Sequence, residues 1–270
     1  MNRTLLVVLL CTAPPCFAAT AAAGPLTEHV SQSLTLHFAG PGEHKLDVRD
    51  IEGDITVVAY DGPDVSLIVD KSLSADNADE MRAAHRDVVL DTGDNAAALH
   101  VIARYPNQQT CGGPNGYTSR SGYHVRYDFT IRVPRAVRLT LCTINDGVVR
   151  VSATSGDFDI SNVNGRIAMS DVSGSGSAVT VNGAVAATFV SAPQRPSTFR
   201  TVNGDVVVTL PQPPSSNLHM KTLNGNVAND FAAAPNAGKP VASSVKAKQG
   251  GADLTLESLN GDVRVLRRSN

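Results

Sequence analysis

The sequence is poor in the residues that most often form ligand-binding surfaces. Its 270 residues include no tryptophan, five tyrosines and seven phenylalanines, and only 18% of them are charged. Carbohydrate-binding faces and affinity hot spots usually display Trp, Tyr or Arg, so this composition disfavours a sugar-binding face. Lys plus Arg total 23 and Asp plus Glu total 25, and this near balance argues against a nucleic-acid partner, which requires a basic excess.

The chain also lacks an apolar run of the roughly 20 residues that a membrane-spanning helix needs. The apolar run at residues 5–11 is much shorter, is broken by two prolines and precedes a stretch of small residues. This layout predicts a signal peptide over residues 1–23, cleaved between 19 and 23. Lipidation is not expected, because neither Cys11 nor Cys16 follows a small residue. We therefore expect an extracytoplasmic protein, periplasmic or secreted to the cell surface, with no transmembrane segment in the mature chain.

Two cysteines remain in the predicted mature chain, Cys111 and Cys142. An exported protein enters an oxidising compartment, where a pair of thiols usually forms a disulfide. We therefore predict a Cys111–Cys142 disulfide. Two unpaired thiols are the alternative, which the spacing alone leaves open.

Glycines and apolar residues recur together with a step of nine residues. Each unit reads apolar, any, apolar, any, any, apolar, polar, Gly, any. Because side chains alternate along a strand, the first and third positions share one face, and the polar–Gly pair supplies a turn with positive φ. The unit is thus one short strand and one turn, and its period excludes a helix. The glycines that mark the units are Gly147, Gly156, Gly165, Gly174 and Gly183, with Gly53 and Gly62 earlier.

The turns are of two alternating kinds, Asn-Gly and Ser-Gly, so the full period is 18 residues and stretches to 21 further on. The last gap in the Asn series, from Asn224 to Asn260, is 36 residues long. It contains residues 232–251, which we interpret as a loop inserted in one turn. The asparagines fit either a buried ladder along the fold or simply the left-handed geometry of a turn, and both interpretations stay open.

Two strands per 18-residue coil would cover each other across a core, which predicts a flattened parallel β-solenoid. The alternative is a sheet sandwich or meander built from the same strands, because Asn-Gly is also a hairpin signal. Upstream of the regular repeat, strands are predicted at residues 65–70, 99–105 and 125–133, and a short helix at residues 74–86. The predicted domain covers residues 24–270, with loops at residues 106–122 and 232–251.

Several motifs follow one another in a fixed order: YDFTIRVPRAVRLTL, TIN, repeated VNG turns, KTLNGNV and the terminal LESLNGDVRVLRR. Together they resemble the bacterial putative-adhesin family of β-strand-repeat proteins, a domain of unknown function. The resemblance runs from roughly residue 46 to residue 267. It implies a right-handed β-helix-like fold, export and a role in adhesion, and it implies no catalytic residue set. The sequence departs from the family at Asn145-Asp146-Gly147, where we expect a local bulge.

Catalytic and metal-binding motifs are missing. The seven histidines lack an HExxH spacing, and the chain has no CxxC pair, GxSxG elbow or phosphate-binding loop. We predict no catalytic residue, no metal site and no cofactor. An enzymatic alternative rests on a cluster of acidic residues, because polysaccharide-acting β-helix enzymes use paired carboxylates. The other interpretation is that these residues are solvated turn positions. They are Asp157, Asp159, Asp171 and Asp205.

The outward positions of the regular coils are small and polar, with no aromatic residue. We therefore predict a non-catalytic, exported β-solenoid that acts as an adhesin-like or cell-envelope scaffold module and contacts a protein or a cell-envelope surface component. The alternatives are a polysaccharide-acting β-helix enzyme and an accessory or sensor domain of an envelope system. The predicted outward positions are Asp159, Ser161, Asn162, Arg166, Ala168, Ser170, Asp171, Ser175, Ser177, Thr180, Ala184, Ala186 and Thr188.

Overall fold

The computed structural model describes residues 24–40, 42–95, 98–106, 122–213, 217–231, 245–247 and 251–269. Over these residues the chain forms one α-helix and two ten-stranded β-sheets, which confirms the all-β class. The two sheets enclose one continuous apolar core. No helix in the described part of the chain is long and apolar enough to cross a membrane.

The N-terminal elements form the less regular end of both sheets. They are β1 (Leu26–Leu36), β2 (Lys45–Arg49), β3 (Ile55–Tyr60), β4 (Val65–Ala75), α1 (Ala78–Asp87), β5 (Val89–Asn95), β6 (Ala98–Arg104) and β7 (Tyr123–Pro134). β1, β4 and β7 are antiparallel neighbours in one sheet, and β5 and β6 are antiparallel neighbours in the other. The helix begins after Asn77, whose Oδ1 accepts from the N–H groups of Asp79 and Glu80 at 2.9 and 3.0 Å. The predicted strands and helix of this region are therefore confirmed, but the antiparallel pairing departs from a pure solenoid.

The regular coils begin at residue 138, where consecutive strands alternate between the two sheets. They are β8 (Arg138–Cys142), β9 (Val149–Ser152), β10 (Phe158–Ser161), β11 (Ile167–Val172), β12 (Gly176–Val179), β13 (Val185–Phe189), β14 (Ser197–Asn203) and β15 (Val206–Leu210). Each pairs in parallel with the strand one coil away, so Ile160 of β10 lies between Leu141 of β8 and Ala178 of β12. This is the predicted solenoid arrangement. A meander is excluded here, because strands joined by an Asn-Gly turn lie in different sheets and do not pair.

The C-terminal strands do not stack in chain order. They are β16 (Asn217–Asn224), β17 (Val227–Asn229), β18 (Val245–Ala247), β19 (Asp253–Asn260) and β20 (Val263–Arg267). β19 lies between β14 and β16, and β20 lies between β15 and β17. The last coil is thus inserted between two coils that precede it in the chain. The repeat spacing does not specify this order, because each coil offers the same parallel hydrogen-bonding edge to either neighbour.

Parts of the two predicted loops cannot be compared with the structure. Residues 107–121, 232–244 and 248–250 lie outside the described residues, whereas residues 245–247 form β18, antiparallel to β16.

Alternation along each strand fills the core with aliphatic side chains and a few aromatic rings. Phe199 lies 5.9 Å from Phe189 and 6.2 Å from Phe158, measured between ring centroids. All three are at most 3% exposed. Burial of a large apolar side chain contributes about 1.5–3 kcal/mol, so the repeated inward positions supply most of the stabilisation of the coils.

Candidate interaction edge

Asparagine side chains form a hydrogen-bonded ladder along one edge of the solenoid, which we call the asparagine edge. Each amide Nδ2 donates to the Oδ1 of the asparagine in the adjacent coil. The amides are largely exposed, and none of these asparagines has a positive φ, so neither the burial nor the left-handed geometry considered above applies. The donor–acceptor distances are 3.1 Å for Asn164–Asn145, 2.7 Å for Asn182–Asn164, 2.8 Å for Asn203–Asn182, 2.7 Å for Asn260–Asn203 and 2.7 Å for Asn224–Asn260.

A second ladder runs inside this edge, two residues before each asparagine. Thr180, for example, is 1% exposed, and its Oγ1 donates to the carbonyl oxygen of Gly165 at 2.9 Å. The predicted outward orientation of Thr180, Asn162 and Ser175 is wrong, because these residues are buried. The recurrence of Thr, Ser or Asn two residues before each ladder asparagine was the signal for it. The other rungs are Thr143 to Gly53, Asn162 to Gly147, Thr201 to Gly183, Ser258 to Gly204 and Thr222 to Gly261.

The glycines of this edge stack in a column that has no room for a Cβ atom. A Cβ on Gly204 would lie 2.3 Å from the carbonyl oxygen of Gly183, and one on Gly165 would lie 1.9 Å from that of Gly147. Gly204 also has a φ of +151°, whereas Gly165 is not a positive-φ residue. The prediction that turn geometry requires glycine is therefore correct at Gly204, but close approach between coils is the reason at Gly165.

We expect Gly204→Ala to lower the free energy of unfolding by more than the ~1–2 kcal/mol that left-handed backbone costs a residue with a Cβ. The added methyl group must also displace the carbonyl of the next coil. Gly42→Ala is the matched control, because Gly42 has a φ of +124° and open space around it. Urea unfolding of both variants measures the difference, and an equal loss in the two would show that the column imposes no constraint.

Carboxylates that follow these glycines tie neighbouring coils together. Asp205 Oδ1 accepts from the N–H of Asp262 at 2.8 Å, and Asp262 Oδ1 accepts from the N–H of Asn226 at 2.9 Å. The hydrogen bond from Asn226, followed by that from Arg264, holds the pKa of Asp262 below its ordinary value. Asp205 is thus a structural rung of the edge.

Asp54 likewise ties neighbouring coils together at the N-terminal end of the edge. Its hydrogen bonds make the stability of the fold depend on pH. It accepts from the N–H of Val148 at 2.9 Å and from Arg150 Nη1 at 2.7 Å. Burial would raise the pKa of Asp54, but the hydrogen bonds from Arg150 and Val148 outweigh it and hold that pKa below 3.8. A depressed folded-state pKa gives stability that is present above the unfolded-state pKa and is lost as the pH falls through the folded value.

We therefore expect Asp54→Asn to lower the free energy of unfolding by about 1 kcal/mol at neutral pH and to have little effect in strong acid. Asp61→Asn is the control, since Asp61 pairs with Arg135 on the exposed surface, where ion pairs contribute little. Urea unfolding across the acid range tests the expectation. A loss at Asp54 that does not change with pH would contradict it.

An apolar row borders the asparagine edge, with one residue directly before each ladder asparagine other than Asn145. Its side chains are Val163, Val181, Val202, Leu259 and Leu223 in spatial order, and we call them the apolar row. Val181 is 38% exposed, Leu259 43% and Leu223 61%. On the opposite edge, at the same position of the repeat, Val172 is fully buried and Val190 is 47% exposed. The row therefore places aliphatic surface in solvent beside a rigid line of amides.

The four aspartates of the predicted acidic cluster do not lie together. Asp159 lies on β10 in one sheet, whereas Asp171 lies on β11 in the other sheet. The cluster is wrong because residues in successive nine-residue units belong to opposite walls. Each aspartate has a partner of its own: Arg195 for Asp157, Ser177 for Asp159, Arg268 for Asp171 and the N–H of Asp262 for Asp205.

Histidines and carboxylates elsewhere form isolated pairs. His37 contacts Asp64, His85 contacts Glu28, and His124 contacts Glu52. Within the described ranges, no group of three or more His, Cys, Asp or Glu is placed to hold a metal ion.

Cys142 ends β8 and is 7% exposed, although strand alternation places it opposite the inward Leu141. Its predicted partner, Cys111, lies outside the described residues, so the disulfide stays a prediction. We expect the unfolded, unreduced mature protein to show no titratable thiol, and reduction to lower its stability by ~3–5 kcal/mol in the chain-entropy model. Two titratable thiols would contradict the pairing.

The geometry defines a class of protein: a parallel β-solenoid whose coils stack on a glycine column and two polar ladders. Residues 139–266 match the family model described as Toastrack DUF4097. The match spans the part of the chain from β8 to β20, and the resemblance to a β-strand-repeat family of unknown function is confirmed.

Several solved structures are similar to this chain. One is a putative cell adhesion protein from Clostridium sporogenes, with 11% identity, a TM-score of 0.47, and coverage of 89% of this chain and 100% of that one. Another is a putative adhesin from Bacteroides fragilis, with 9% identity, a TM-score of 0.43, and coverage of 90% and 100%. No curated protein matches the chain.

Proposed function

We propose that the mature chain is an exported, non-catalytic interaction module of the cell envelope, adhesin-like in role, which contacts a protein of the envelope or cell surface through the asparagine edge. The exposed apolar row is the observation that carries this proposal. Right-handed winding of the coils belongs to the same proposal, because parallel β crossovers are right-handed in about 98% of cases.

The chemistry of the row favours a protein partner. Contiguous exposed apolar surface is a mark of interaction sites, and its burial contributes roughly 25 cal/mol per Å². Each ladder amide beside the row already uses one N–H and its Oδ1 within the ladder, so a docking partner has to accept a hydrogen bond only from the second N–H of each amide. Because both ladders hold the edge rigid, little conformational freedom is lost on binding.

The test compares one triple variant and one double variant of the immobilised mature protein with the wild type. Val181→Ser, Leu259→Ser and Leu223→Ser together remove the apolar row. Val58→Ser with Ile68→Ser is the matched control, since these residues are 38% and 40% exposed on the outer face of the N-terminal strands. Binding of envelope proteins from the producing bacterium is followed by photo-crosslinking from position 223 and by surface plasmon resonance of the captured partner.

We expect the row variant to bind the crosslinked partner at least tenfold more weakly and the control to bind it as the wild type does. Equal binding by all three proteins would contradict a role for the edge. Mass spectrometry of the exported protein tests export separately, and we expect the N-terminus between Thr20 and Gly24. Turnover of any glycan in a polysaccharide panel, lost on Asp157→Asn or Asp159→Asn, would instead favour the enzymatic alternative.

A further inference from the structure

A cavity of about 330 Å³ opens between the two sheets at their N-terminal end. One sheet ends here in β4 and β1 and the other ends in β5. Its volume lies near the lower end of the ~300–1,000 Å³ typical of small-ligand sites. We call it the N-terminal mouth. The lining residues that matter here are Val30, Leu34, Val69, Lys71, Leu90 and Tyr127.

The core-facing side of β1 is left open at the mouth. Val30 pairs with Lys71 of β4 across the antiparallel ladder, and Leu34 pairs with Leu67. Paired residues point to the same face, and Leu67 is fully buried, so Val30 and Leu34 occupy inward positions. Val30 is nevertheless 44% exposed. The mouth therefore presents aliphatic core surface that no described residue covers.

Lys71 places a positive charge on this inner wall. It lies between Val69 and Leu73, which are both 3% exposed, in the row of β4 side chains that faces the core. Its Nζ donates to the carbonyl oxygen of Val88 at 3.4 Å and lies 5.4 Å from the centroid of the Tyr127 ring. An inward lysine between buried aliphatic residues is unusual, because desolvation disfavours the charge unless a partner offsets it.

No carboxylate of the described residues lies within ion-pairing distance of this ammonium. The negative charge of Glu28 acts on Lys71 from a greater distance, and the Oε2 atom of Glu28 already lies 2.9 Å from Nε2 of His85. Burial lowers the pKa of Lys71 in spite of Glu28, in agreement with an incompletely compensated charge. The mouth thus combines aliphatic side chains with the polar side chains of Gln32, His85 and Thr92 and with the ammonium of Lys71, which pairs with no described carboxylate.

We propose that the N-terminal mouth binds a single-chain fatty carboxylate, with the carboxylate on Lys71 Nζ and the alkyl chain along Val30, Leu34 and Leu90. The carboxylate would supply the missing counter-charge, and the chain would cover the open face of β1. A neutral or cationic amphiphile would leave the ammonium without a counter-charge. This binding site is separate from the asparagine edge and does not depend on its role.

Isothermal titration calorimetry of the mature protein with dodecanoate below its micelle concentration tests the proposal, with dodecanol as the uncharged probe. Lys71→Met removes the charge and keeps the length of the side chain, so we expect this variant to fold. Lys221→Met is the matched control, because Lys221 lies on β16 and is exposed. Val30→Asp gives a second probe, since it sets a carboxylate on the strand partner of Lys71. Val30→Ser removes the same apolar contact without adding a charge, so it measures the loss of that contact alone.

We expect wild type and Lys221→Met to bind dodecanoate equally, and Lys71→Met to bind it at least tenfold more weakly, as loss of a charge-assisted contact predicts. Val30→Asp should bind it at least tenfold more weakly than Val30→Ser, because only Val30→Asp adds a negative charge. Lys71→Met should bind dodecanol as the wild type does. No binding of dodecanoate to the wild type, or unchanged binding to both Lys71→Met and Val30→Asp, would overturn the proposal. A dimer that closes the mouth and is broken by Val30→Asp would overturn it too, in favour of a second copy of the chain as occupant.

Discussion

A chain truncated after Gly251 should be no more stable than one truncated after Pro211, although it keeps β16 and β17. Both strands depend on the final coil: β16 pairs with β19 and β18, and β17 pairs with β20. Without β19 and β20, the coil of residues 217–229 loses all of its described parallel strand partners. A coil of a solenoid is stabilised mainly through its interfaces, so this one should unfold.

The measurement is hydrogen exchange combined with thermal melting of both truncated proteins and the full chain. We expect residues 217–229 of the Gly251-terminated chain to exchange as in an unfolded peptide, and both truncations to melt at the same temperature, below that of the full chain. Protection of residues 217–229 together with a higher melting temperature would show that β16 can pair with β14 directly, and it would contradict the inserted order as a requirement for folding.

Deletion of one whole coil should leave a folded, cooperative protein, whereas deletion of half a coil should not. Removing residues 165–182 joins Asn164 to Gly183 and brings the coils on either side into the same register, because Ile167 pairs with Val185 and Asn182 with Asn164. The asparagine ladder and the glycine column stay continuous. One set of coil interfaces is lost, so we expect a modest fall in stability.

Removing only residues 165–173 joins an asparagine edge to a Ser-Gly edge. The strand after the junction then belongs to the opposite sheet, and each later coil is displaced to the wrong wall. The inward hydroxyl of Thr180 would lose its glycine carbonyl, which leaves a buried polar group unsatisfied at a cost of about 1–3 kcal/mol. We expect insoluble or molten protein, judged by circular dichroism and the cooperativity of melting. If both deletion variants folded equally well, the repeating unit would be a single strand of nine residues and not a coil of two strands.

Two features of the coil follow from local sequence. Alternation of apolar residues sets which side chains enter the core, and the nine-residue glycine step sets where the strands turn, since both depend on residues close together in the chain. The sequence also contains a pattern that indicates the inner ladder, because Thr, Ser or Asn stands two residues before each ladder asparagine. It was missed because simple alternation past the bend assigns Thr180 to the outside, whereas the turn directs this side chain inward.

The order of the coils and the N-terminal mouth were decided by tertiary structure. Asn260 pairs in the same register with Asn203 and with Asn224, so nothing local distinguishes a final coil that caps the stack from one inserted within it. Likewise, alternation alone marks Lys71 as one charged residue in an apolar row. The cavity beside Lys71 forms only when β1 pairs with β4 at the open end of the two sheets. That pairing joins residues more than forty positions apart in the chain, such as Val30 and Lys71. Repeated units with equal hydrogen-bonding edges determine the coil, and long-range packing determines which edges meet.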